Sequence, residues 1–203
     1  MRCITMIPMI VALIAADATA QSSSNITLNG DGNSAAVDQT LAHSANVVID
    51  QIGTINRVSV KQSGIDDDVV IVSDGQNQNH SVNQSGQSAN RLSLNSVGLS
   101  NESSIVQTGI AGINEIIMLQ SGNNNLAQLQ QYTIGGLNSI NLVQAGNDNI
   151  ATLAQDGSDN RIDLTQNGDA NGASVTQTGS GLGFVLTQNG GAQIVVTQTG
   201  PGG

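Results

Sequence analysis

With 203 residues, a formal net charge of -10 and only Tyr132 and Phe184 as aromatic side chains, the chain cannot pack a bulky aromatic core. Its few basic residues, Arg2, Arg57, Lys61, Arg91 and Arg161, exclude nucleic acid as the main ligand. One cysteine, Cys3, excludes a disulfide scaffold, and two histidines far apart, His43 and His80, leave no cluster from which a catalytic, metal or cofactor site is nominated.

Residues 1–20 read as a secretory signal: Arg2, an apolar run from Ile4 to Ala16, and Ala18-Thr19-Ala20 as a small-residue cleavage motif, with cleavage after Ala20. The run is too short to span a bilayer, and Cys3 leaves with it. Residues 21–32 are a short N-terminal segment in which Ile26 and Leu28 are able to make a partial first coil. Residues 33–203 are a repeat region.

Roughly every eleven residues the chain returns to Asn, two apolar positions and Gln at i, i+2, i+4 and i+6, as in Asn149-Ile-Ala-Thr-Leu-Ala-Gln155, followed by Gly157. That period is a strand's, so all four side chains share one face, while Thr, Ser, Asp and Arg take the other. Glycine two places after Gln, amid Asn, Asp and Ser, marks a turn. The turn glycines are Gly53, Gly64, Gly75, Gly86, Gly98, Gly109, Gly122, Gly146, Gly157, Gly168, Gly179 and Gly190.

Alternate strands fall into two sets. One ends at Gln39, Gln62, Gln84, Gln107, Gln131, Gln155, Gln177 and Gln198 without exception. The other ends at Leu28, Gln51, Ser73, Ser96, Gln120, Gln144, Gln166 and Gln188. The first inward apolar position is mostly small in the first set (Ala35, Ser103, Ala127, Ala151, Ala173) and large in the second (Val47, Leu92, Ile116, Ile140, Ile162, Phe184). Large facing small fills space between two surfaces.

These features predict an all-β, two-sheet parallel β-solenoid, a flat, amyloid-like β-helix of about eight coils, with about 22 residues and two strands per coil. Inward amides then stack in columns, and a column of identical amides is able to bond along the axis because each carries donor and acceptor. The assembly core so predicted contains the thirteen glutamines named above together with Asn56, Asn90, Asn101, Asn114, Asn125, Asn138, Asn149, Asn160 and Asn171.

The pair Asn138-Ser-Ile-Asn-Leu-Val-Gln144-Ala-Gly146-Asn-Asp-Asn149-Ile-Ala151-Thr-Leu-Ala-Gln155 resembles the curlin repeat, S-x5-Q-x-G-x-x-N-x-A-x3-Q. Asn stands for the opening Ser at Asn114, Asn138 and Asn160, and Ser73 and Ser96 replace ladder Gln. The resemblance implies a subunit of curli, the secreted bacterial amyloid fibre of biofilm matrix and cell adhesion, of either the major or the nucleator type. It also implies a second curlin subunit as partner, export through an outer-membrane secretion pore with accessory factors, and an N-terminal secretion address, for which residues 21–32 are the candidate.

The two ends of such a stack are unpaired strand edges, and the predicted contact is head to tail, the last strand at 192–198 meeting the first. A soluble β-solenoid adhesin or binding module is the reading from a different class, and would require capped ends. Three local features are weighed the same way. Asp66-Asp67-Asp68 lacks the calcium-repeat spacing and reads as a solvated corner. His80 falls on an inward position and reads as a space-filling, hydrogen-bonded side chain. Asp156, Asp159, Asp163 and Asp169 serve either as gatekeepers against premature aggregation or simply as residues that turns and outer faces favour.

Overall fold

The computed structural model describes residues 10–14 and 21–201. Alternating inward and outward side chains mark the strands from Ser23 onward, and with Ile10–Ile14 the described residues form seventeen strands and no helix. The odd strands form sheet A: β1 Ile10–Ile14, β3 Ser34–Asp38, β5 Arg57–Gln62, β7 Asn79–Gly86, β9 Glu102–Gly109, β11 Leu126–Thr133, β13 Ile150–Ser158, β15 Gly172–Ser180 and β17 Gln193–Thr199. The even strands form sheet B: β2 Ser23–Asn29, β4 Asn46–Thr54, β6 Asp68–Gln76, β8 Ala89–Leu99, β10 Ile113–Asn123, β12 Leu137–Ala145, β14 Arg161–Asn167 and β16 Gly183–Asn189.

Within each sheet the strands lie in chain order and pair in parallel, as in Gln131 beside Gln155 and Gln144 beside Gln166. The chain therefore crosses from one sheet to the other at every corner and returns one coil higher, the two-sheet parallel solenoid that the repeat predicts. Equivalent residues are 21 to 24 positions apart. The two residue sets of the repeat are the two sheets.

Inward apolar rows fuse into one core running the length of the stack, with Ile116, Ile140 and Ile162 of sheet B fully buried, and Ala127 and Ala151 of sheet A likewise. Large opposite small holds the sheets at the roughly 10 Å that facing sheets keep. At the ends the rows lose their outer neighbours: Ile26, Leu28, Phe184, Leu186, Ile194 and Val196 are only partly buried.

The corners leaving sheet B take two left-handed residues. Gly98, at φ 127, sits beside Gly122, and a Cβ there would fall on the Gly122 carbonyl of the next coil, so glycine is required twice over. Two residues on, Ser100 at φ 55 completes the bend. The same pairing recurs with Asn77, Asn124 and Asp148, side chains that tolerate this region, and with Ile55, which as a β-branched residue is strained there.

Two regions of the sequence reading meet the structure here. Ser23–Asn29 form β2, so part of the 21–32 segment lies in sheet B against β4. Ile10–Ile14, within the expected signal, form β1 alongside β3. The expected cleavage point after Ala20 lies outside the described residues.

Candidate functional site

The glutamines of sheet A point into the core at the end of each strand, where the opposite sheet's corner turns a carbonyl inward. Gln39, Gln62, Gln84, Gln107, Gln131, Gln155, Gln177 and Gln198 form an unbroken ladder, each Nε2 donating to the next Oε1 over 2.8–3.0 Å. The second proton of the amide crosses the core: Gln155 Nε2 donates to Ser139 O at 3.0 Å, and Gln131 Nε2 to Glu115 O at 3.1 Å. Each glutamine thus ties its coil to the next and sheet A to sheet B. All but Gln198 are buried.

The column in sheet B is complete only from Gln120 onward, through Gln144, Gln166 and Gln188, at 2.9–3.0 Å. Below it Ser96 and Ser73 are too short to reach. The Gln120 Oε1, the Ser96 Oγ and both amide atoms of Gln51 are buried without a partner, each costing about 1–3 kcal/mol. Gln51 lies between Leu28 and Ser73, neither of which extends an amide ladder.

The asparagines do something different from the glutamines. Asn56, Asn101, Asn125, Asn149 and Asn171 stand just before β5, β9, β11, β13 and β15 of sheet A, while Asn90, Asn114 and Asn138 are the second residues of β8, β10 and β12 and Asn160 stands just before β14, all buried. Asn101 Oδ1 accepts the backbone N-H of Asn125 at 3.0 Å, and Asn138 Oδ1 that of Asn160 at 3.1 Å. Most of their Nδ2 groups donate to backbone carbonyls, as Asn125 does to Gly146 O at 2.9 Å, whereas Asn149 Nδ2 and Asn114 Oδ1 are buried without a partner. These side chains staple the corner backbone of one coil to the next, and amide-to-amide bonds such as Asn114 to Asn90, 2.9 Å, are the minority.

Most of the motif glycines continue the strand ladder and lie just before the bend. Gly53, Gly75, Gly98 and Gly122 are register partners in sheet B, Gly86 and Gly109 in sheet A, and Gly157 and Gly179 likewise. Gly146, Gly168 and Gly190 lie in the turns at positive φ. Gly64 has no room for a side chain because Asp67 Oδ2 fills the space.

That contact belongs to a correction. Asp67 is not a solvated corner residue but fully buried, holding the position that Asn90 and Asn114 hold in later coils. Its carboxylate accepts from Asn90 Nδ2 at 2.8 Å, Asn90 N at 3.3 Å and Gly64 N at 3.1 Å. Burial pushes its pKa up to about 6, against the pull of those hydrogen bonds. Two further corner residues escape the Asn-x-Φ-x-Φ-x-Gln pattern. Gln78 fills the place of an asparagine and reaches toward the gap at Ser73, whose Oγ donates to its Oε1 at 3.0 Å. Ser88, also buried, donates to Asn90 Oδ1 at 3.2 Å. For Gln78 the signal is register position, 22 residues from the recognised corner at Asn56, whose Oδ1 accepts its backbone N-H.

His80 is buried, with Nδ1 2.9 Å from Ser103 Oγ and Nε2 3.3 Å from Gln78 Oε1. Burial pushes its pKa down to about 4, so it is neutral at physiological pH. A serine next to a histidine here has no access to a substrate, since both are enclosed. Among the described residues no three His, Cys, Asp or Glu side chains are grouped to hold a metal ion.

The amide ladder of sheet A has a direction: every Nε2 points toward the C-terminal end. Gln198 therefore offers a donor beyond the last coil and Gln39 an acceptor before the first. Among the described residues nothing covers β16 and β17 at one end or β2 at the other.

The curlin associated repeat matches residues 138–168 and again 157–190, from β12 to β16. This is the stretch in which both glutamine columns are complete, and it bears out the resemblance read from the repeat. No curated protein and no solved structure gives a significant match.

Proposed function

Because this chain carries the curlin associated repeat, we propose that it is a structural subunit of a secreted bacterial curli-type amyloid fibre, serving biofilm matrix and cell adhesion at the cell surface. The observation that carries this reading is the pair of open, unlike ends. Exposed edges of a parallel stack recruit further strands, and unlike surfaces joined head to tail propagate without closing. Stacking β2 and β3 of one copy on β16 and β17 of another continues both sheets in register, and sets the free Gln198 Nε2 against the Gln39 Oε1. Removal of residues 1–20 would also free the β3 edge that β1 lines.

The fibre's main partner is then another copy of the chain, with a second curlin subunit, an outer-membrane pore and its accessory factors following from the family. A nucleator role in the same system is the second reading, favoured by the incomplete sheet B column at Leu28, Gln51, Ser73 and Ser96 in the early coils. A soluble adhesin module would need its terminal edges covered.

The test is growth of the chain from Gln21 to Gly203, diluted from denaturant and followed by thioflavin T with and without preformed seeds, with electron microscopy of the product. A lag abolished by seeds, together with unbranched fibres, is the expected result. A stable β-rich monomer that seeds do not convert, alone or with a curlin partner, sinks the reading.

A further inference from the structure

The two outer faces of the solenoid differ in chemistry. On sheet A the outward row Ser104, Gln128, Thr152 and Ser174 is polar until it ends at Val195, and the other outward apolar side chains, among them Val106 and Ile150, lie in different rows. On sheet B two apolar groups break the surface. Val48 and Val70 are outward neighbours in β4 and β6, with Val72 beside them. Ile117 and Leu119 project from β10, and Leu119 adjoins Val143 of β12. Ile117 is 51% exposed and Leu119 38%, although both stand in the middle of a strand with sheet neighbours on each side. Neither contributes to the core, whose β10 members are Ile116 and Met118.

We propose that the outer face of sheet B is the lateral docking surface for a second copy of this chain, so that two fibres lie together sheet B to sheet B. The inference rests on the fibre reading. Its first support is size. Eight strands about 4.8 Å apart, each about seven residues long at about 3.3 Å per residue, make a face of roughly 900 Å² per copy, and a standard interface takes about 800 Å² from each partner. Its second support is repetition. In a fibre the face recurs at every subunit, so the two apolar groups, separated by Ser93 and Asn95 of β8, repeat at a fixed interval along it, and a second face of the same strand spacing is the partner that matches that repeat along its length. Apolar side chains from facing sheets then interdigitate across about 10 Å.

Charge argues against a lipid occupant. The chain carries a formal charge of -10, which an anionic membrane surface repels. The cations on this face are Arg91 and Arg161, and the latter is engaged by Asp163 at 2.6 Å.

The experiment combines Ile117→Lys with Leu119→Lys in the chain from Gln21, beside a control bearing Gln128→Lys and Gln130→Lys on the outer face of sheet A one strand further along the chain. Seeded growth rates are expected to stay within about two-fold of the unaltered chain for both, because no inward side chain changes. Filament widths in negative stain are expected to differ: the unaltered chain and the sheet A control give paired filaments, and the sheet B variant gives single ones, with the paired fraction down at least about five-fold. Pairing that persists in the sheet B variant, or is lost equally in the control, overturns the inference. So does co-sedimentation with phosphatidylcholine–phosphatidylglycerol vesicles that the sheet B substitutions abolish while pairing survives. If the unaltered chain makes no fibres, the fibre reading falls and the face is judged on the soluble protein. A sedimenting dimer that the sheet B variant dissolves supports the docking surface, and a monomer in both overturns it.

Discussion

Two buried ionisable residues, Asp67 at the entry to β6 and His80 in β7, oppose each other as pH changes. Asp67 has a folded pKa of about 6 against its usual 3.8, so its ionised form is the costly one. Its favourable contribution is complete below about pH 4 and is lost as pH rises through about 6. His80 runs the other way: its folded pKa of about 4 lies below the usual 6.5. Its contribution is complete above pH 6.5 and is lost as pH falls toward 4. Both windows fall between pH 4 and 7, so single substitutions unmask what the pair conceals. Relative to the unaltered chain, Asp67→Asn is expected to be more favourable at pH 7 than at pH 4.5, because it removes a buried charge. His80→Val, matching Val58 one coil below, is expected to be more favourable at pH 4.5 than at pH 7. Guanidinium unfolding midpoints of the soluble folded chain at the two pH values measure both. Slopes of the same sign, or none in either variant, would remove the titration account while leaving the hydrogen bonds of Asp67 in place.

At the level of strands and columns, the contrast between the two sheets is one of completeness. Sheet A has every rung of its glutamine ladder, whereas sheet B lacks three, at Leu28, Ser73 and Ser96, and the unpaired Gln120 Oε1 marks where the column stops. Ser96→Gln places an amide next to that oxygen in a position where neighbouring coils accommodate one, and is expected to raise stability by about 1 kcal/mol. The reverse change within the intact run, Gln144→Ser, strands the amides of Gln120 and Gln166 and is expected to cost about 1–3 kcal/mol. Equal effects of the two would mean that the columns are not what holds the coils together. The alternation of sheets, the facing of large and small rows and the sheet A ladder were all legible in the sequence, because a period of two and a fixed column are properties of residue spacing alone. The corners were not. Which side chain turns inward there depends on left-handed residues at the bend, and the non-glycine ones, such as Ser100, Ile55 or Asp66, have no fixed identity. Asp67 therefore reads as a solvated corner, and Gln78 falls outside the repeat pattern, although each holds a buried corner position. The apolar outer face of sheet B was hidden for a related reason: outward residues vary from coil to coil, and Val70 and Ile117 become parts of one surface only when the register places β6 and β10 on either side of β8.

For the whole molecule, the decisive property is that each coil touches only the coils above and below it, so stability is close to a sum of nearest-neighbour terms. Removing a complete coil should then leave two surfaces that already fit each other. Asn138 and Asn160 are equivalent corner residues 22 positions apart, and Ser139 pairs with Arg161. Deleting residues 139–160 joins Asn138 directly to Arg161, which meets the sheet at the place Ser139 occupied, with Ile162 on the inward row of Ile140 and Gln166 taking over the bond from Gln120. Deleting the shorter stretch 139–149 joins Asn138 to Ile150 instead, so a sheet A strand follows a corner that leads into sheet B, and β12 is lost with no sheet B strand in its place. The longer deletion is expected to keep a cooperative β-rich unfolding transition and seeded fibre growth, with the fibre's axial repeat shortened by one coil, about 4.8 Å. The shorter one is expected to lose both. Circular dichroism melts and seeded thioflavin T traces of the two deletions decide the matter. If the shorter deletion proves the milder, stability does not reside in contacts between successive coils, and the stacked amide columns cannot be the element that makes this chain extendable.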